Sequence, residues 1–495
     1  MSALRYGFSL ALITLVVNVP GGWAQQQTQE PQSQQEQNQT NQPIPAYHSP
    51  LASAADNGVQ DTSDADQLAP DTRLPAGAQN LSLGAPKTGH GYWAPYLYAS
   101  SSSYSNPDAS GNGTDWTTFA SLSGGLDLRE ISHNSDLTLT YLGGGSISSD
   151  GTDNSITQQL GLAERITFHR SVIAFIDQFD YLPQAGFGYN GLGTNGLGTG
   201  TLSTSGNIGL QTGLTQVQSI LTPAGQRVDN SSVGEFDRFL TRRSSLSFVG
   251  SYGLSYYLDN NLANSKEMIF QAGYNYQLSR KSTIAVSYNF EGFRYSNIGQ
   301  SINDHSVLAS YSRRVVGRLA FQVSAGPQFI ISQAPISASG SSVTTGNTTQ
   351  LSWTANAQLN YQLRRTQFLA TYGHGVTAGS GVLAGSVTDI VSGLATRQLS
   401  RHLSAGWTIG YSRNTGQGVT TSVSVSPAQG FNYNYFFSGV NLTRTWGRSM
   451  NVFAGYQIQY QNTSSVPCIL APCNTSFVNH QIYAGLGWNP RRFIR

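Results

Sequence analysis

Residues 351–363 read LSWTANAQLNYQL, and the period of that stretch decides the fold. One parity holds Leu351, Trp353, Ala355, Ala357, Leu359, Tyr361 and Leu363, and the other holds Ser352, Thr354, Asn356, Gln358, Asn360 and Gln362. Apolar and polar residues alternate without a break for thirteen positions. Side chains leave a strand on opposite faces in turn, whereas a helix repeats its apolar positions every three or four residues. The stretch is therefore a strand with one apolar and one polar face.

The pattern recurs on both sides of it. Ile284, Val286, Tyr288 and Phe290 oppose Thr283, Ser287, Asn289 and Glu291. Met450, Val452, Ala454, Tyr456, Ile458 and Tyr460 oppose Asn451, Gly455, Gln457 and Gln459. Shorter sets run Leu319 to Ala325 and Leu403 to Tyr411, the latter placing Trp407 and Ile409 opposite Ser404 and Thr408. The longest of these segments run to ten residues or more, against ~5–6 in soluble sheets. A tilted strand crossing a bilayer needs ~9–11 residues.

Basic tight turns separate many of these runs: LTRRSS at 240–245, LSRKST at 278–283, LRRTQ at 363–367, LSRHLS at 399–404 and RTWGRS at 444–449. Polar, glycine-rich loops such as 335–349 and 413–430 lie between them. Short turns at one rim and longer loops at the other predict a transmembrane antiparallel up-and-down β-barrel. Counting hairpins from 91–105 to 475–490 gives eighteen strands, with sixteen as the alternative because 91–105 and 171–181 alternate least clearly. An even number brings both termini to the short-turn rim, expected to be periplasmic.

Composition agrees with a membrane wall. Only 11% of residues are charged, against about 25% in soluble domains. Glycine (54), tyrosine (25) and phenylalanine (21) dominate methionine (3). A soluble two-sheet β-fold could carry the same alternation. Its solvent-facing sides would hold Lys and Glu, however, and here the polar faces hold Asn, Gln, Ser, Thr and Gly. Trp116, Trp353, Trp488, Tyr252, Tyr256 and Tyr460 fall near strand ends, where aromatic girdles meet the membrane interfaces. A net charge of +2 leaves no basic footprint for nucleic acid.

The N-terminus reads as a targeting segment. Arg5 precedes an apolar run over 8–19, and Gly22 and Ala24 are the small residues of a cleavage site, so 1–24 is expected to be a signal peptide. That run is too short for a membrane anchor. Residues 25–89, beginning QQQTQEPQSQQEQNQTNQP, have too little apolar surface to order and are expected to form a disordered periplasmic arm. Residues 90–495 are the barrel.

On these features the chain resembles a Gram-negative outer-membrane β-barrel of the porin-like kind. The last run (Val478, His480, Ile482, Ala484, Leu486, Trp488) resembles the C-terminal strand that such barrels offer to the barrel-assembly machinery. Those proteins usually end in an aromatic residue, whereas this chain continues past Phe493 to Ile494 and Arg495. The resemblance implies outer-membrane lipid as surroundings and the assembly machinery as a partner during biogenesis.

The chain contains neither HExxH, G-x-S-x-G nor a phosphate-binding loop, so no enzyme, cofactor or metal is expected. His374, in TYGHGV, is the one histidine in a suggestive setting; some outer-membrane enzymes use a histidine and serine near the outer rim, but a rim or interfacial residue is the preferred reading. His305 and His480 have no carboxylate or cysteine at ligand spacing. Cys468 and Cys473 enclose four residues, and a secreted chain favours a loop disulfide over zinc, which would need two further ligands.

A barrel of this size encloses an aqueous lumen unless plugged. The expected function is passive passage of small polar solutes, with a non-conducting structural or surface-interaction barrel as the alternative and an outer-membrane enzyme as a distant third. Expected lumen-lining residues are Asp127, Arg129, Arg165, Asn289, Glu291, Asn356 and Gln358. The longest connection, 182–230, is the third external loop. Leu210, Leu214, Val217 and Leu221 give it a helical apolar stripe that would turn Gln211, Thr215, Gln216 and Gln218 toward the passage. The third loop of many porins folds inward, and this segment resembles it in position and length; a surface lid is the alternative.

Overall fold

The computed structural model describes residues 91–494, apart from the connections 106–115, 183–226, 259–262, 338–342, 379–384, 417–431 and 464–475 and a few turn positions (150, 152–153, 297–298, 317, 448, 489 and 491–492). The expected signal peptide and arm, the loop residues Gln211, Thr215, Gln216 and Gln218, and Cys468 and Cys473 lie outside the described residues.

Strands β1 to β6 are Tyr92–Tyr104, Thr117–Ile131, Ser135–Ser148, Ser155–Thr167, Ser171–Leu182 and Arg227–Phe239. Strands β7 to β12 are Ser244–Tyr257, Ser265–Ser279, Ser282–Tyr295, Ser301–Val316, Leu319–Ser337 and Val343–Gln362. Strands β13 to β18 are Thr366–Thr377, Ser386–Ser400, Leu403–Gly416, Asn432–Trp446, Met450–Thr463 and Ser476–Trp488. Each pairs antiparallel with the next, and β18 closes on β1 from Leu97 opposite Trp488 to Tyr104 opposite Gln481. Eighteen wall strands form one closed barrel. A two-residue strand β19, Phe493–Ile494, pairs with the start of β1, and Phe493 stacks on Trp93 at 4.3 Å.

The alternation read from the sequence becomes two surfaces. On β12, Leu351 and Trp353 are 67% and 51% exposed, while Thr354, on the concave side, is buried. The convex surface carries exposed Trp407, Tyr411, Val440, Tyr456 and Ile482, a band of apolar and aromatic groups that a lipid phase would cover. Buried Ser, Thr, Asn and Gln residues gather on the concave surface. His305 and His480 are convex, each meeting a tyrosine hydroxyl, Tyr288 at 2.8 Å and Tyr456 at 2.7 Å.

The basic turns close by hydrogen bonds that their sequences supply. The Arg243 and Lys281 backbone amides donate to Thr241 Oγ1 and Ser279 Oγ at 3.1 Å, and the His402 amide donates to Ser400 Oγ at 3.3 Å. A Ser or Thr two residues upstream thus replaces a backbone acceptor in each turn. Arg242, Arg243, Arg280, Lys281, Arg364, Arg365 and Arg401 are all exposed at this short-turn rim.

Three features depart from clean alternation. Asp177 of β5 shares the convex face with exposed Ile173 and Phe175, and is sheltered there by bonds from Asn230 Nδ2 and Ser232 Oγ. In β1 the tyrosines 96 and 98 point inward, joining Leu142, Phe453 and Tyr483 in an apolar cluster. Glycines make room for those rings: a Cβ on Gly455 would meet the Tyr483 ring at 2.3 Å, and one on Gly487 would meet Tyr98 at 2.5 Å. Finally, the β10–β11 ladder lapses between Ser306/Gln328 and Ala309/Ala325, where Pro327 has no amide hydrogen to contribute.

Candidate functional site

The concave face divides into sectors of different chemistry. Beside the closing seam lies the tyrosine cluster, where Tyr96 donates to the Tyr141 carbonyl at 3.0 Å and Gln481 donates to Tyr104 at 2.9 Å. Asp127 is buried next to Tyr96.

Strands β2 to β6 carry charges in opposed pairs. Arg129 holds Asp136 with two bonds, at 3.0 and 2.9 Å. Arg227 meets Asp229 at 2.8 Å, and Ser255 donates to the same carboxylate. Arg165 acts electrostatically on Glu235 and Asp237. Asp180 accepts from Gln178 at 2.9 Å. Arg129–Asp136 and Arg165 with Glu235 and Asp237 join different strands, so register sets them, whereas Arg227–Asp229 and Gln178–Asp180 are neighbours two residues apart on one strand. Asp136 stands directly opposite Arg165 and diagonal to Arg129.

Strands β8 to β11 differ. Glu267, Glu291 and Asp304 share the concave face, Glu291 lying directly opposite Asp304. Gln328 Nε2 donates to Asp304 at 2.7 Å. Asn289, one inward step nearer the short-turn rim, is 4% exposed.

From β11 to β15 the surface is neutral and hydroxyl- or amide-bearing. Asn356 is exposed although it lies on the concave face, and Gln358, Gln322, Ser324, Thr371 and Ser392 beside it are half-exposed. Register joins them: Gln322 opposes Gln358, which opposes Thr371, which opposes Ser392. Solvent therefore reaches the inner wall here. Nearer the long-loop rim, Thr377, Ser386, Thr388 and Asn414 form a hydrogen-bonded row.

The β13–β14 hairpin narrows the barrel mouth. Its pairing with β12 stops at Ala355 opposite His374, while β11 and β12 stay paired up to Ser337 and Val343. Beyond that point Val376 and Ala378 pack against Phe293, Tyr295, Ile302 and Ile330 of β9 to β11, with Val387 against the same cluster. Tyr295 donates to the Ala378 carbonyl at 3.0 Å. Gly385 has φ +80°, which strains any side chain placed there, and a Cβ would stand 2.1 Å from Ile302 Cδ1 and displace it, so glycine favours the tuck. Nothing in the local pattern of 376–385 signals it, because the partners lie some eighty residues upstream.

Where β13 leaves β12, His374 Nδ1 meets Asp389 at 2.7 Å, and the imidazole stacks on Trp353 with centroids 3.9 Å apart. Tyr372 donates to the same carboxylate at 3.2 Å. Among the described residues, the buried Nε2 of His374 has no hydrogen-bond partner.

Of the residues expected in the lumen, Asp127, Arg129, Arg165, Asn289, Glu291, Asn356 and Gln358 all lie on the concave side of their strands, spread around the wall rather than gathered at one point. The carboxylates Glu267 and Asp304 and the tucked hairpin are additions that register and tertiary contact reveal.

No family model and no curated protein matches the sequence. Among solved structures, the chain is similar to Acinetobacter baumannii OccAB1 (TM-score 0.40, 9% identity, covering 81% of this chain and 97% of that one). It is also similar to Pseudomonas aeruginosa OpdQ (0.38, 8%, 81% and 98%) and to Pseudomonas aeruginosa OccK2 in complex with glucuronate (0.38, 10%, 83% and 100%). The architecture is a closed barrel of eighteen antiparallel wall strands.

Proposed function

We propose that the chain is an outer-membrane channel for passive passage of small polar solutes. The observation that carries this reading is the exposed Asn356 on the concave wall, beside half-exposed Gln358, Thr371 and Ser392. An interior filled by side chains would leave no such surface open to water. Asp127, Arg129, Arg165, Asn289 and Glu291 line the same passage, and a neutral, hydrogen-bonding stretch at β11–β15 suits uncharged or weakly charged solutes. In this reading the short-turn rim faces the periplasm, the 25–89 arm lies there after loss of 1–24, and the third external loop narrows the lumen. Cys468 and Cys473 form a loop disulfide in that oxidising setting.

Planar bilayers test the proposal. The refolded chain should give discrete conductance steps in KCl. A properly folded barrel that gives none would establish the alternative, a non-conducting surface barrel.

A further inference from the structure

Resting on the channel reading, we propose that Glu267, Glu291 and Asp304 form a subsite in the lumen for the ammonium or guanidinium group of an organic solute. Three observations converge. The first is the imbalance of charge. Arg129, Arg165 and Arg227 each have a carboxylate beside them, whereas the charged groups acting on Glu291 are Asp304 and Glu267, both of its own sign. Among the described concave residues of β7 to β13 the one cation is Arg314, ten residues down the strand from Asp304.

The second is a row of acceptors without donors. Gln271, Asn289, Ser306 and Gln328 are successive register partners, the row next to Ile269, Glu291, Asp304 and Ile330. Gln271 Oε1, Asn289 Oδ1, Gln328 Oε1 and Asp304 Oδ1 are buried with no hydrogen-bond partner among the described residues. Gln328 is 1% exposed and its amide is held on Asp304, which keeps its free oxygen at the cluster. Buried acceptors are normally satisfied, and like charges opposed across a sheet repel. One cation carrying several N–H donors removes both penalties.

The third is access. Glu291 is half-exposed on the concave wall, the water-reached Ser324 and Asn356 lie about six residues farther along β11 and β12 toward the short-turn rim, and the tucked hairpin covers the side toward the long-loop rim. No three acidic, histidine or cysteine groups among the described residues converge as metal ligands. The acceptors are instead spread over four strands, as a planar or multi-donor organic cation requires.

The test compares the wild-type chain with the triple variant Glu267→Gln, Glu291→Gln, Asp304→Asn, each verified as folded by heat-modifiable gel mobility. Single Glu291→Gln serves if the triple variant does not fold. Reversal potentials in a KCl gradient should show wild-type preference for potassium over chloride of at least about fivefold, falling toward unity in the variant. Argininamide titrated calorimetrically into detergent-held protein should bind the wild type and bind the variant at least about tenfold more weakly. Equal selectivity and equal binding in the two proteins, or no argininamide binding to the wild type, would overturn the subsite. Binding that the variant loses, in a protein that gives no conductance, would uphold the subsite while refuting the channel.

Discussion

At Asn356 and Ala357, two adjacent side chains stand on opposite sides of the wall. Asn356 is exposed on the concave face, and Ala357 shares the convex parity of Trp353 and Leu359. An arginine facing lipid near mid-membrane costs ~2–4 kcal/mol, and one facing water costs little. Ala357→Arg should therefore cut the yield of heat-modifiable, folded barrel sharply, with Asn356→Arg close to wild type; similar yields would mean the register is wrong. The same contrast at Ile409 and Thr408 is less clean, because Thr408 is 2% exposed and an arginine there must displace neighbours. Asp177 gives a prediction of opposite sign. Asp177→Asn keeps an acceptor for Ser232 and removes a charge from the lipid-facing surface, so its unfolding midpoint in urea should rise. Parity was legible residue by residue in the sequence, since Tyr288 and Asn289 lie on the faces that alternation assigns. Charge pairing was not, because the approach of Arg129 to Asp136 depends on how β2 meets β3.

Strands and turns were the elements most open to sequence reading, since a period of two over ten or more residues has few alternatives. The expected start of the sixth strand, 230, falls three residues inside the observed Arg227–Phe239, where Asn230 and Ser232 interrupt the apolar face. The tuck of β13–β14 was illegible for a different reason. It depends on the fit of Gly385 against Ile302 and of Ala378 against Tyr295, contacts that no local period encodes. Gly385→Val should push the hairpin out of the mouth, because it combines an unfavourable φ with a 2.1 Å overlap. Barrel assembly should survive while single-channel conductance rises; unchanged conductance would show that the tucked segment does not limit flow. Deleting residues 190–220 tests the third external loop in the same way, with a clear rise in conductance expected if that loop enters the lumen.

For the whole molecule, closure fixes sidedness as well as shape. Up-and-down connectivity puts every basic turn at one rim, and seven of their cations are exposed there. Cysteines replacing Arg243, Lys281 or Arg365 should resist a membrane-impermeant maleimide added to intact cells and react after the outer membrane is opened. Prompt labelling of intact cells would invert the topology. What the barrel encloses follows from its wall: a tyrosine-lined seam, a carboxylate sector on β8 to β10, and a neutral polar stretch on β11 to β15 that solvent reaches. The most direct measurement is the swelling of proteoliposomes containing the refolded chain in isotonic solutions of a pentose, a hexose, a disaccharide and a tetrasaccharide. An open polar lumen predicts rapid swelling with the pentose and a steady decline with solute size, whereas swelling no faster than in protein-free liposomes, with the barrel shown to be folded, would contradict it.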